Sequence, residues 1–211
     1  MTSISGREAL RPAPSERRFV AFAGDQLLAE GEIATVALAA KRAESRGRDV
    51  ALLFFDAATS EPLELDLRGS EGEVLARIAA PGIPAPVNAP TDDASRGPGR
   101  PRLGVVGREV TLLPRHWEWL NAQPGGASAA LRRLVELARS ANAGRDRRRR
   151  AQEYAYRFLV AMLGNAPDFE EATRALFAGD PERFMLLSES WPPDPRDHAR
   201  RLAAPVWPDA T

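Results

Sequence analysis

Residues 81–102, PGIPAPVNAPTDDASRGPGRPR, limit the fold more than any other stretch of the chain. Proline fixes φ and lacks an N–H, and glycine gives up the most backbone freedom on ordering. At this density they keep a chain extended and deny it a packed core. The sequence is therefore expected to fold as separate stretches on either side of a linker. With 211 residues in all, one to three small domains are expected rather than one large enzyme core.

Upstream of the linker, residues 1–17 carry Pro12, Pro14 and scattered charges and read as a disordered leader. Residues 18–80 then read as a ββαββα unit. Phe19–Phe22 and Gln26–Glu30 are strand-sized runs around Gly24-Asp25, and Ile33, Val36, Ala37 and Ala40 fall at helical spacing before Gly47. Val50–Phe55 is a short apolar run suited to a central strand. Leu63, Leu65 and Leu67 alternate with Glu64, Asp66 and Arg68, which predicts a half-buried strand. Ser70 and Glu73 have capping-box spacing, and Val74, Leu75 and Ile78 form the face of the helix they open. The expected class is α+β, a small sheet with helices on one face.

Downstream, residues 145–204 read as a group of helices resting on what precedes them. Ala151, Tyr154, Ala155, Phe158, Leu159 and Met162 make a helical stripe. Asp168 and Glu171 have capping-box spacing, Gly179 suits a helix stop, and Asp180-Pro181 and Asp194-Pro195 each read as a cap followed by a first-turn proline.

Between linker and helices, residues 103–140 hold one strand-sized run, REVTLLP, then a short helix RHWEWLNAQ, a Pro124-Gly125-Gly126 break, and a helix AALRRLVELARS that Ser128 is placed to cap. A lone strand has backbone groups to satisfy, and a second copy of the chain is the simplest source of a partner. Two such strands pair antiparallel about a two-fold axis into a ribbon that fits the DNA major groove.

Charge points the same way. The formal net charge is zero, yet residues 96–157 carry fourteen basic and five acidic side chains, a net +9, against −5 before them and −4 after. Such asymmetry suits a partner with many negative charges. Arg147–Arg150 stand at the head of the next expected helix, where cations face the positive end of the macrodipole, so a partner rather than local stability would explain them.

The strand-helix-helix order resembles the ribbon-helix-helix DNA-binding fold of bacterial repressors and antitoxins, through EVTLLP, RHWEWLNAQ and GGASAALRRLVELAR. That resemblance implies base reading from outward strand side chains and a backbone grip at the start of the second helix, which falls on Ser128. It leaves open whether Arg108, Val110 and Leu112 or Glu109, Thr111 and Leu113 face outward. A ribbon that only dimerises, or a strand added to the N-terminal sheet, are the alternatives. RGPGRPRLG resembles the AT-hook, with Gly99-Arg100-Pro101 as core and Arg96 and Arg102 beside it; such a thin chain enters a minor groove about 6 Å wide. Over nearly its whole length the sequence resembles bacterial domain-of-unknown-function family 2239, through VALAAK, LDLRG, GRPRLGVVGREVTLLPRHWEWL, QPGGAS, ALRRLV and EEATRALFAGD. That family implies no activity.

Enzyme signatures are missing from the sequence. There is no phosphate-binding loop ending in Lys-Ser or Lys-Thr, no third glycine for a dinucleotide fingerprint, and no Gly-x-Ser-x-Gly elbow. The chain has no cysteine, so thiolate catalysis and disulfides are excluded. His116 reads as a surface or interface residue and His198 as a capping or surface residue. No cofactor, metal, membrane span or small-molecule substrate is expected, and cytoplasmic residence follows from the lack of a signal-peptide core. The function expected from the sequence is a homodimeric DNA-binding protein, a transcriptional regulator or nucleoid-associated factor. Its contacts would come from Arg96, Arg100, Arg102, Arg108, Thr111, Ser128 and Arg147–Arg150. The alternative is a non-catalytic module that uses the same segment to dimerise or to dock an acidic protein.

Overall fold

Strand β1 (Phe19–Ala23), FVAFA, is buried at every position because helices cover both of its faces. Successive side chains of a strand point to opposite faces. Phe19 and Ala21 accordingly join one cluster, and Val20 and Phe22 join another. The computed structural model describes residues 17–47, 50–80 and 109–207. The chain divides into two compact units, one of residues 1–88 and 147–211 and one of residues 89–146.

In the larger unit β1 turns at Gly24-Asp25 into β2 (Gln26–Gly31), pairing Ala23 with Gln26. Gly24 sits at φ +59, a conformation that a side chain disfavours. α1 (Ile33–Ser45) follows, then β3 (Leu52–Asp56), β4 (Pro62–Leu63) and α2 (Glu71–Ala79). The sheet order is β2-β1-β3-β4, antiparallel throughout, with a bulge in β2 at Leu28, opposite Ala21 and Phe22. The ββαββα order is as the sequence predicts. β4 is shorter, however: its ladder ends at Leu63, although Leu67 is still buried and Glu64, Asp66 and Arg68 are exposed. Alternation along a chain marks which side faces a core, not whether a neighbouring strand exists. The capping box of α2 is present, with the Glu73 carboxylate accepting from the Ser70 N–H at 2.7 Å.

Helices lie on both faces of the sheet, not on one. Val36, Ala37 and Ala40 of α1 and Val74 of α2 pack with Phe19, Ala21, Phe54 and Leu67. On the other face Val20, Phe22 and Phe55 meet the end of α4 (Gly126–Leu163), α5 (Phe169–Ala178), α6 (Pro181–Leu187) and α7 (Pro193–Ala203). Phe158 of α4 is fully buried there, its ring 5.5 Å from Phe22 and 5.4 Å from Phe55. Both clusters belong to the larger unit, so its core runs through the sheet.

Two expected caps differ. Asp168 precedes α5 in a left-handed conformation and its side chain caps nothing. Asp194 lies inside α7, which Pro192 and Pro193 start; its carboxylate accepts instead from the Leu27 N–H at 2.8 Å. β2 is an edge strand, so this bond satisfies a donor that no neighbouring strand takes. Asp180 does cap α6, accepting from the Arg183 N–H at 3.0 Å, and Gly179 ends α5 at φ +77.

In the smaller unit, α3 (Pro114–Asn121) opens on its proline as expected and precedes the start of α4. Glu109–Leu113 is irregular rather than a strand and joins no ladder among the described residues. The ribbon-helix-helix resemblance is therefore not confirmed. The helix expected over Ala129–Ser140 does not stop before the arginine run: Ala141, Asn142, Ala143 and Gly144 continue it. Alanine is the best helix former, and a single glycine without proline costs only about 1 kcal/mol. No helix among the described residues is long and apolar enough to cross a membrane.

Candidate anion-binding site

Arg147–Arg150 lie within α4, about six turns from its start, not at a helix N-terminus. The expected conflict with the macrodipole is therefore absent, because that effect fades within the first turn. At about 100° per residue, Arg147, Arg150, Ala151 and Tyr154 share one face, and Arg148 and Arg149 turn elsewhere. All four arginines are exposed.

Their pairing sets them apart. Outside α4, every described arginine of the larger unit except Arg46 meets a carboxylate. Arg42 with Glu71 and Arg17 with Asp56 are each held by two hydrogen bonds. On α4, by contrast, Arg147, Arg148 and Arg150 have no ion pair among the described residues, and neither do Arg132, Arg133 and Arg145.

Arg147 and Arg150 open onto a cleft of about 340 Å³ in the larger unit. Ala151 and Tyr154 continue that wall; Ala57 and Ala58, from the turn after β3, form a second. Arg201 and Leu202 of α7 and Pro205 just beyond it form the third. The β3 turn is held firmly. The Asp56 carboxylate accepts from the N–H groups of Ala58 and Thr59, each at 3.0 Å, and from Arg17 at 2.7 Å. Burial pushes the Asp56 carboxyl up, but the Arg17 guanidinium and these N–H groups outweigh it and leave it below its ordinary value. Arg157 donates to the Thr59 carbonyl at 2.6 Å and places its guanidinium 5.8 Å from the centre of the Tyr154 ring.

On the third wall, Arg201 approaches Glu30 at 3.3 Å and His198 Nδ1 at 2.9 Å. His198 is 3% exposed, its ring 4.5 Å from Phe158 and 5.8 Å from Phe22. It is neither a cap nor a surface residue, as its charged neighbours in sequence suggested. Facing a guanidinium, Nδ1 acts as acceptor and Nε2 carries the proton; Nε2 has no hydrogen-bond partner. Burial, and then the nearby Arg201 charge, push the His198 pKa down to about 4.

This has a consequence for stability. The folded-state pKa lies below the unfolded value of about 6.5, so only the unfolded chain takes up the proton at mildly acidic pH. The stabilisation from neutral His198 is complete above pH 6.5 and is lost as pH falls towards 4, by about 3 kcal/mol in total. Urea melts of the wild-type chain and of His198→Leu at pH 7 and pH 5 check this. The wild type should lose stability over that interval more steeply than the variant. Equal losses would show that His198 does not titrate as its burial requires.

Of the residues singled out from sequence, Arg96, Arg100, Arg102 and Arg108 lie outside the described residues. Thr111 is exposed in the irregular segment, and Ser128 is exposed inside α4 rather than capping it. His116 is exposed on α3. Only Arg147 and Arg150 of the expected set line the cleft. Tyr154 was legible as their helical neighbour at i+4 and i+7. No sequence signal brings Arg201 to the same place, because that depends on α7 packing against the sheet.

The family model that matches the chain is the one described as an uncharacterized protein conserved in bacteria, DUF2239, and it covers residues 18–203. The chain belongs to this family. No curated protein and no solved structure matches. The DUF2239 match takes in the whole sheet, α4, and all of the cleft's walls except Pro205.

Proposed function

We propose that the protein is a homodimer that binds DNA through the basic segment 96–150, as a regulator of transcription or a nucleoid-associated factor, with Arg147–Arg150 gripping the phosphate backbone. The observation that carries this reading is that Arg147, Arg148 and Arg150 are exposed and have no ion pair among the described residues, while outside α4 every described arginine of the larger unit except Arg46 meets a carboxylate. A guanidinium without a carboxylate is available to displace counterions from a phosphate, and contacts of this kind are blind to base sequence. Pairing of two copies through a ribbon would have to order Glu109–Leu113, which is irregular and joins no strand among the described residues. The second reading, docking of an acidic protein, draws on the same charges.

Fluorescence anisotropy with a labelled duplex at about 50 mM salt tests the first reading. Binding that weakens steeply as salt rises is expected for DNA contacts. An unchanged signal at low salt would remove DNA as the partner and leave the protein-docking reading. Light scattering should report the mass of two chains; a monomer would remove the pairing.

A further inference from the structure

We infer that the cleft between α4, the β3 turn and α7 binds a small phosphomonoester with an apolar body, of the size and chemistry of a nucleoside monophosphate. This goes beyond the nucleic-acid reading: it shares Arg147 and Arg150 with that reading but rests on a separate set of walls.

Charge comes first. Arg147 and Arg150 stand one turn apart on α4, and Arg201 faces the same cleft from α7. Among the described residues the first two have no carboxylate partner, and the third has only Glu30 at 3.3 Å. The nearby Asp56 is taken up by Arg17 and by the turn it holds. Three guanidinium groups around one space repel one another, and a phosphate dianion relieves that repulsion while accepting the planar donor pairs that guanidinium offers.

The rest of the lining is apolar. Ala57, Ala58, Ala151, Leu202 and Pro205 offer no side-chain donor or acceptor, so a bare inorganic anion would leave most of the surface unused. Tyr154 adds an aromatic ring, and its hydroxyl has no hydrogen-bond partner among the described residues. Ligand pockets run from about 300 to 1,000 Å³ and combine apolar walls with a few convergent polar groups. At about 340 Å³ the cleft lies at the small end, which favours a mononucleotide over a dinucleotide cofactor. Its turn wall is fixed by Asp56 and by Arg157 on the Thr59 carbonyl, so the shape exists before a ligand arrives.

Calorimetry of the full chain with AMP, adenosine, glycerol phosphate and inorganic phosphate tests the site. AMP should bind with a Kd of about 1 mM or tighter, and adenosine and inorganic phosphate at least about tenfold more weakly. Glycerol phosphate matching AMP would overturn the apolar-body part of the inference. Arg147→Ala with Arg150→Ala should weaken AMP at least about tenfold, whereas Arg46→Ala, an unpaired arginine away from the cleft, should leave it unchanged. Leu202→Trp, which fills the cleft and removes no charge, should abolish AMP binding and leave duplex affinity intact, so either reading can fail without the other. No heat with AMP, adenosine binding as well as AMP, or unaltered binding by the double-alanine variant overturns the inference.

Discussion

Phe158→Ala should destabilise the fold by about 3–5 kcal/mol, enough to unfold much of the population of a marginally stable protein. Phe158 is fully buried, with its ring within 5.5 Å of Phe22 on β1 and Phe55 on β3 and 4.5 Å from His198 on α7. Tilted and edge-on aromatic contacts of this sort add to the transfer free energy of the ring. Removing the ring opens a cavity between sheet and helices that neither side can close, since β1 is pinned by ladders on both edges. Val160→Ala, two residues along α4 at a half-exposed position, supplies the comparison and should cost under about 1 kcal/mol. Urea denaturation at pH 7 measures both. Similar small losses would show that the aromatic seam does not join the sheet to the C-terminal helices.

The second large effect concerns binding, with stability left alone. Replacing Arg147, Arg148 and Arg150 together by alanine should lower duplex-DNA affinity at least about 100-fold at low salt and cut the salt slope by nearly 3 for each bound chain. The three side chains are exposed and break no ion pair among the described residues when removed. Alanine also favours the helix. The melting temperature should therefore hold or rise slightly, which separates lost contact from lost fold. Anisotropy and a thermal melt on one preparation suffice. Undiminished affinity would move the DNA contact away from α4.

Local chemistry was legible wherever a few neighbouring residues decide the outcome. The strand-sized runs on either side of Gly24-Asp25 announced the first hairpin, the Ser70–Glu73 spacing announced its capping box, and Pro114 and Asp180-Pro181 marked helix starts, whereas the burial of β1 on both faces was not foreseen. What escaped was decided by distant partners or by weak local competition. The helix expected over Ala129–Ser140 runs on through Ala141–Gly144, because one glycine without a proline is too weak a break to end α4. Asp194 looked like a cap and serves instead the edge of β2, more than 160 residues earlier in the chain. His198 sits among Asp197, Arg196 and Arg200, yet Pro195, His198, Ala199 and Ala203 fall on one buried face. That spacing was present in the sequence, hidden by the charges between. Of the cleft, the α4 side could be read as a helical face, whereas the β3 turn and Arg201 are joined to it only by tertiary packing.

The most direct test of the central claim is the slope of log affinity against log salt for duplex DNA and the wild-type chain, on one A·T-rich and one G·C-rich sequence. Three guanidinium groups from each of two copies, with no ion pair among the described residues, predict a slope of about −5 on both duplexes. A slope near zero, or no binding at about 50 mM salt, would contradict phosphate contact by Arg147, Arg148 and Arg150.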